Sequence, residues 1–132
     1  MPDSTDYRKW LERASQDIRL IEIILKDGIG GLEDSFCYTC HQAAEKLFKA
    51  YLLKKNRRVP RTHDLTYLLR VCLYCNRRLK ELEDEVLVLN EYSVTSRYPS
   101  DFEEVRTTEE AMEAYSCITS IINVFRREES LI

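Results

Sequence analysis

Apolar positions recur along this chain at helical intervals and nowhere alternate as a strand would. Trp10, Ala14, Ile18, Ile21 and Leu25 keep steps of three and four, and Leu11 and Ile24 widen the stripe. That spacing predicts a first helix capped by Ser4 or Asp6 and stopped at Gly28. The run GIGG, Gly28 to Gly31, holds all three glycines of the chain. It lacks the pattern and the preceding strand of a phosphate-cradling loop, so it reads as a turn. A second helix is predicted from Glu33 to Lys55. Phe36, Cys40, Ala43, Leu47 and Tyr51 form one stripe, with Cys37, Ala44, Phe48 and Leu52 beside it. The remaining face carries Gln42, Glu45, Lys46 and Lys49.

This second helix ends in KKNRRVPR, Lys54 to Arg61, where five of eight residues are basic and Pro60 forbids continuation. Thr62 is placed to cap a third helix through Leu65, Leu68, Leu69 and Cys72. A fourth is expected over Arg77 to Asn90, with Leu79, Leu82, Val86 and Leu89 inward and Glu81, Glu83, Asp84 and Glu85 outward. Glu91 to Arg106 is the longest irregular stretch. Thr107 and Glu110 then have the spacing of a capping box before a last helix with Ala111, Tyr115, Ile118, Ile122 and Phe125 in register. Few breakers and no alternation make the chain all-α: an antiparallel up-and-down bundle of four to five helices in a single domain over residues 1–132.

Composition narrows the function classes. The chain has 132 residues, 44% apolar and 33% charged, with net charge −3 and pI near 5.5. Nucleic acid would therefore have to be met by a local patch, because the molecule as a whole is no polycation. The N-terminal MPDSTDYRKW lacks the apolar core of a signal peptide, and no run approaches a membrane span. A cytoplasmic location without membrane contact is expected, with the five cysteines reduced.

Four groups could carry chemistry. Cys37-x-x-Cys40-His41 matches the attachment spacing of c-type haem, but it lies within a helix, on apolar stripes, where free Cys packs as a small hydrophobe. Cys72-x-x-Cys75 adds a second pair, also in a helical pattern and without the tight turn that presents thiolates to zinc. Neither a metal nor a cofactor is expected. The basic run is the strongest nucleic-acid feature, since its Lys and Arg suit phosphate. Arg58 and His63 stand with four residues between them. A histidine there could take a proton from a ribose 2′-OH while an arginine stabilises the charge building on phosphorus. The plain alternative is a solvated helix end meeting the C-terminal dipole. Arg97-Tyr98-Pro99 could bind phosphate and stack on a base, or Tyr98 could plug the end of the bundle.

The order of these pieces resembles the HEPN family (higher eukaryotes and prokaryotes nucleotide-binding domain). They are the helix run His41-Gln-Ala-Ala-Glu-Lys to Ala50, a basic loop with Pro, Thr62-His63-Asp64-Leu65, Arg97-Tyr98-Pro99 and a closing helix. The resemblance spans about Arg8 to Arg126. It implies an all-α bundle that usually dimerises, and often a neighbouring minimal nucleotidyltransferase in a toxin–antitoxin-like pair. Many members are metal-independent ribonucleases with Arg, four to six residues, then His near the start of the final long helix. Here no His follows Arg97, and Arg58 to His63 has the spacing in a different place. The resemblance therefore points to the branch without that motif. The expectation is a homodimeric nucleotide- or RNA-binding subunit beside a nucleotidyltransferase, with Lys46, Lys49, Arg57, Arg58, His63, Arg97 and Tyr98 as contacts. The alternatives are a ribonuclease toxin using Arg58 and His63, and a non-catalytic dimeric interaction module. The role of His41 stays open.

Overall fold

A computed structural model describes residues 2–93 and 105–132. Five α-helices run in order: α1 (Tyr7–Asp27), α2 (Glu33–Lys54), α3 (Leu65–Leu73), α4 (Glu83–Asn90) and α5 (Thr108–Glu129). A 3₁₀ helix, Arg77–Leu82, leads into α4. No strand occurs among the described residues. Arg97, Tyr98 and Pro99 lie outside them.

Side chains cap the N-termini of α1, α3 and α5, and α1 and α2 close on residues of positive φ. Asp6 caps α1 by accepting from the Arg8 N–H at 3.0 Å, and Gly28 ends it at a φ of 123° that favours glycine. α2 closes on Asn56 in the left-handed conformation. The Arg57 N–H bonds the Leu52 carbonyl and the Asn56 N–H bonds that of Leu53, a Schellman ending. Thr107 and Glu110 form the reciprocal capping box that opens α5. At α3 the cap is Asp64, whose carboxylate accepts from the Thr66 and Tyr67 N–H groups. Thr62, expected in that role, instead accepts from the Asp64 N–H at 3.0 Å. It tightens the turn one step earlier. The Arg77–Asn90 helix is likewise divided, its first six residues being 3₁₀.

α2 is the hub. It packs against α1, α3, α4 and α5, and both of its apolar stripes are buried. Phe48 and Tyr51 meet Phe125 of α5 with ring centroids 5.5 and 5.4 Å apart. Each fully buried aromatic there contributes about 2 kcal/mol by removal from water. Lys46 on α2 reaches Asp17 on α1, and Lys49 lies over the Trp10 ring, so α1 and α2 run antiparallel. α3 and α5 advance in step with α2. His63 meets His41, the Cys72 thiol points to the Phe48 carbonyl, and Phe36 faces Tyr115 while Tyr51 faces Phe125. The chain can enter α3 in that sense because residues 55–64 do not close a tight turn. They run back beside α2, and this return positions the candidate site.

Among the described residues no helix is long and apolar enough to cross a membrane. Cys37, Cys40, Cys72 and Cys117 are buried, and Cys75 is half-buried. Burial pushes the Cys37 thiol up to about 12 and Cys117 to about 11, and it raises Cys40 and Cys72 as well. These four are protonated thiols packed as small hydrophobes.

Candidate functional site

His41, Glu45 and Lys49 are four residues apart on α2 and therefore stack on one stripe of the helix. Glu45 and Lys49 belong to the polar face that also carries Gln42 and Lys46, yet each is only 4% exposed, and His41 is fully buried. The cause is the returning segment 55–64 together with the residues before α1, which lie over it. Burying charge is costly unless it is paired and hydrogen-bonded. Lys49 Nζ donates to Glu45 Oε2 at 2.9 Å and sits 5.4 Å from the Trp10 ring centroid. Glu45 Oε1 is 2.9 Å from His63 Nδ1.

These contacts fix the geometry of His63. Nδ1 carries its hydrogen toward the Glu45 carboxylate, so Nε2 is the ring nitrogen free to act. The side chain is 62% exposed. His41 holds the backbone of the same residue: its Nε2–H donates to the His63 carbonyl at 3.0 Å, and its Nδ1 is 3.2 Å from the Gln42 amide. Burial lowers the pKa of His41, with the Gln42 contact and the Glu45 charge opposing. The carbonyl can only accept, so the hydrogen that matters for this contact is the one on Nε2. His41 is thus a structural clamp on the loop that presents His63.

Two depressions open along the loop 55–64, and His63 lines the first of them. One, of about 220 Å³, is lined by Asp3, Lys49, Arg61, Thr62 and His63. The other, of about 350 Å³, is bordered by Arg57, Arg58 and Arg61, with Trp10, Leu53 and Val59 supplying apolar wall. Arg61 lines both. In the first, the Arg61 guanidinium and His63 share the wall with the Asp3 carboxylate, which lines the second as well. The second adds two further cations and apolar surface along the same loop.

Of the residues picked from sequence, His63, Lys49, Arg57 and Arg58 come together around this loop. Lys49 acts from beneath, through Glu45. Lys46 goes elsewhere: its ammonium is 2.6 Å from Asp17 and lines neither depression. Arg61 was not among the expected contacts, although it belongs to the basic run, and Glu45 was placed on the polar face of α2 without a role. The four-residue step from His41 to Glu45 to Lys49 was the signal for a shared stripe. What covers that stripe depends on the path of the loop, which no local pattern encodes.

Searches of curated proteins and of solved structures each gave no match. The family model described as HEPN domain matches residues 7–128, from the first turn of α1 to the last turn of α5. The helical bundle and the matched span agree, and the chain belongs to the HEPN domain family.

Proposed function

We propose that this chain is a nucleotide- or RNA-phosphate-binding subunit that works in the cytoplasm as a homodimer beside a minimal nucleotidyltransferase, in a toxin–antitoxin-like pair. The observation that carries this reading is His63, exposed at the mouth of a depression, held at Nδ1 by the buried Glu45 and flanked by Arg61. A side chain with no task could rotate freely in solvent. This one is fixed by a carboxylate that is itself fixed by Lys49. Arg57 and Arg58 extend the cationic surface toward a longer, phosphate-bearing ligand. Arg97 and Tyr98 stay candidate contacts on the sequence alone, outside the described residues.

The test is titration of the pure protein with ATP and with a short oligouridylate across salt concentrations. Arg57→Ala combined with Arg58→Ala should weaken oligouridylate binding and flatten its salt dependence by about 0.7 for each phosphate left without its cation. Arg61→Ala with His63→Ala should weaken both ligands. If affinity and salt slope stay unchanged in both double variants, the assignment fails.

A second reading is favoured by the Nδ1 contact to Glu45, which leaves Nε2 outward. In a metal-independent ribonuclease, Nε2 of His63 would take the proton from a 2′-OH. The resulting oxyanion would attack the adjacent phosphorus, and the 5′ oxygen would leave to give a 2′,3′-cyclic phosphate. Arg58 or Arg61 would stabilise the charge on phosphorus. This reading predicts growth arrest on expression, relieved by His63→Ala. Intact RNA after prolonged incubation with the pure protein contradicts it.

A further inference from the structure

A third depression, about 760 Å³, lies where α3 gives way to the 3₁₀ helix. Arg70, Arg77 and Lys80 stand on its rim, Leu73 and Cys75 supply apolar surface, and Glu83 is the one carboxylate. Arg70, Arg77 and Lys80 make no ion pair among the described residues, whereas the nearby Arg78 and Arg127 are paired to Glu128 and Glu81. Among the described residues of a chain of net charge −3, three cations thus share one concavity with a single carboxylate. Tyr74 lies among them and is 81% exposed. It contributes nothing to the core, so its ring is available to a ligand.

The backbone that carries these groups is firmly held. Asn76 accepts from the Arg78 N–H at 2.9 Å and donates to Glu129 at 2.7 Å. Glu129 also accepts from the Tyr51 hydroxyl at 3.0 Å and pairs with Lys55 at 3.2 Å. The turn bearing Tyr74 is therefore anchored to the end of α5 and to the core of α2. A solvent-facing aromatic on a held turn, ringed by unpaired cations, is the arrangement that binds single-stranded nucleic acid. Bases stack on the ring and phosphates meet the cations. An acidic peptide would engage the same cations but would gain little from one isolated ring.

We infer that the Arg70–Tyr74–Arg77–Lys80 depression is a binding site for single-stranded RNA, separate from the His63 site. The nine residues of α3 lie between the two, about 13 Å of helix at 1.5 Å per residue. The inference stands whether or not the His63 reading holds.

The experiment measures binding of a fluorescently labelled oligouridylate, and of a matching abasic ribose-phosphate oligomer, to the full chain across salt concentrations. Arg70→Ala, Arg77→Ala and Lys80→Ala together should lower the salt slope by about 2, at about 0.7 for each phosphate left without its cation. Tyr74→Ala should weaken oligouridylate binding by about tenfold or more, leave the abasic oligomer unaffected, and be rescued by Tyr74→Phe. All four side chains are exposed, and circular dichroism confirms that each variant is folded. The inference is overturned if the wild-type protein does not bind oligouridylate at low salt. It is equally overturned if the triple variant and Tyr74→Ala bind as the wild type does, which would leave the depression to a protein partner. Failure of the His63 site reads out separately, as unchanged binding in Arg61→Ala with His63→Ala.

Discussion

His63 owes its position to the buried side chains Glu45, Lys49 and His41, and this is testable one side chain at a time. Glu45 is the link, since it accepts from both Lys49 and His63. Glu45→Gln leaves the buried Lys49 ammonium without its counter-charge and should cost about 3 kcal/mol in urea unfolding. The double variant Glu45→Gln with Lys49→Met removes both charges and should recover much of that loss. If the double variant is as unstable as the single, the charge pairing is not what holds the stripe. His41 gives a pH-dependent prediction. Its folded pKa lies below the unfolded value of about 6.5, so the fold favours the neutral ring. The stability it contributes is complete above the unfolded pKa and is lost as pH falls below it toward the folded pKa. The gap in Tm between wild type and His41→Gln should therefore narrow as the pH is lowered below about 6.5, with Glu45 and His63 present in both proteins. A gap that widens in acid contradicts the clamp.

At the scale of elements, helix ends and the α2 hub carry the predictions. Thr107→Ala breaks the capping box of α5 and should cost about 1 kcal/mol. Asp64→Ala should cost a similar amount, since Asp64 caps α3 and also accepts from the Asn90 side chain. Thr62→Ala should cost clearly less, and the reverse order would return the cap to Thr62. Phe125→Ala opens a cavity against Phe48 and Tyr51 and should cost about 3–5 kcal/mol. The helices themselves were legible in the sequence, because burial imposes a 3.6-residue period and caps leave local signatures. Thr107 with Glu110 and the Gly28 stop are examples. The Thr62 assignment missed because Thr62 and Asp64 are both good caps two residues apart, and three-dimensional position chose between them. What the polar face of α2 meets was not legible for a different reason: segment 55–64 lies over Glu45 and Lys49, and a loop returning along its own helix has no periodic signal.

Among the described residues, a chain of net charge −3 carries basic concavities toward both ends of α3. Its assembly is tested by sedimentation. A homodimer is expected, and a monodisperse folded monomer over a wide concentration range contradicts it. The two histidines of the chain give the central claim an internal control, because His41 is sealed in the core while the His63 ring opens to solvent. The most direct measurement is therefore a nuclear magnetic resonance titration of the imidazole nitrogens with ATP. The account predicts that the His63 Nε2 resonance shifts in a saturable, salt-sensitive way, that His41 stays in place, and that Arg61→Ala weakens the response. An unmoved His63 at saturating ATP, or equal movement of both rings, would contradict it.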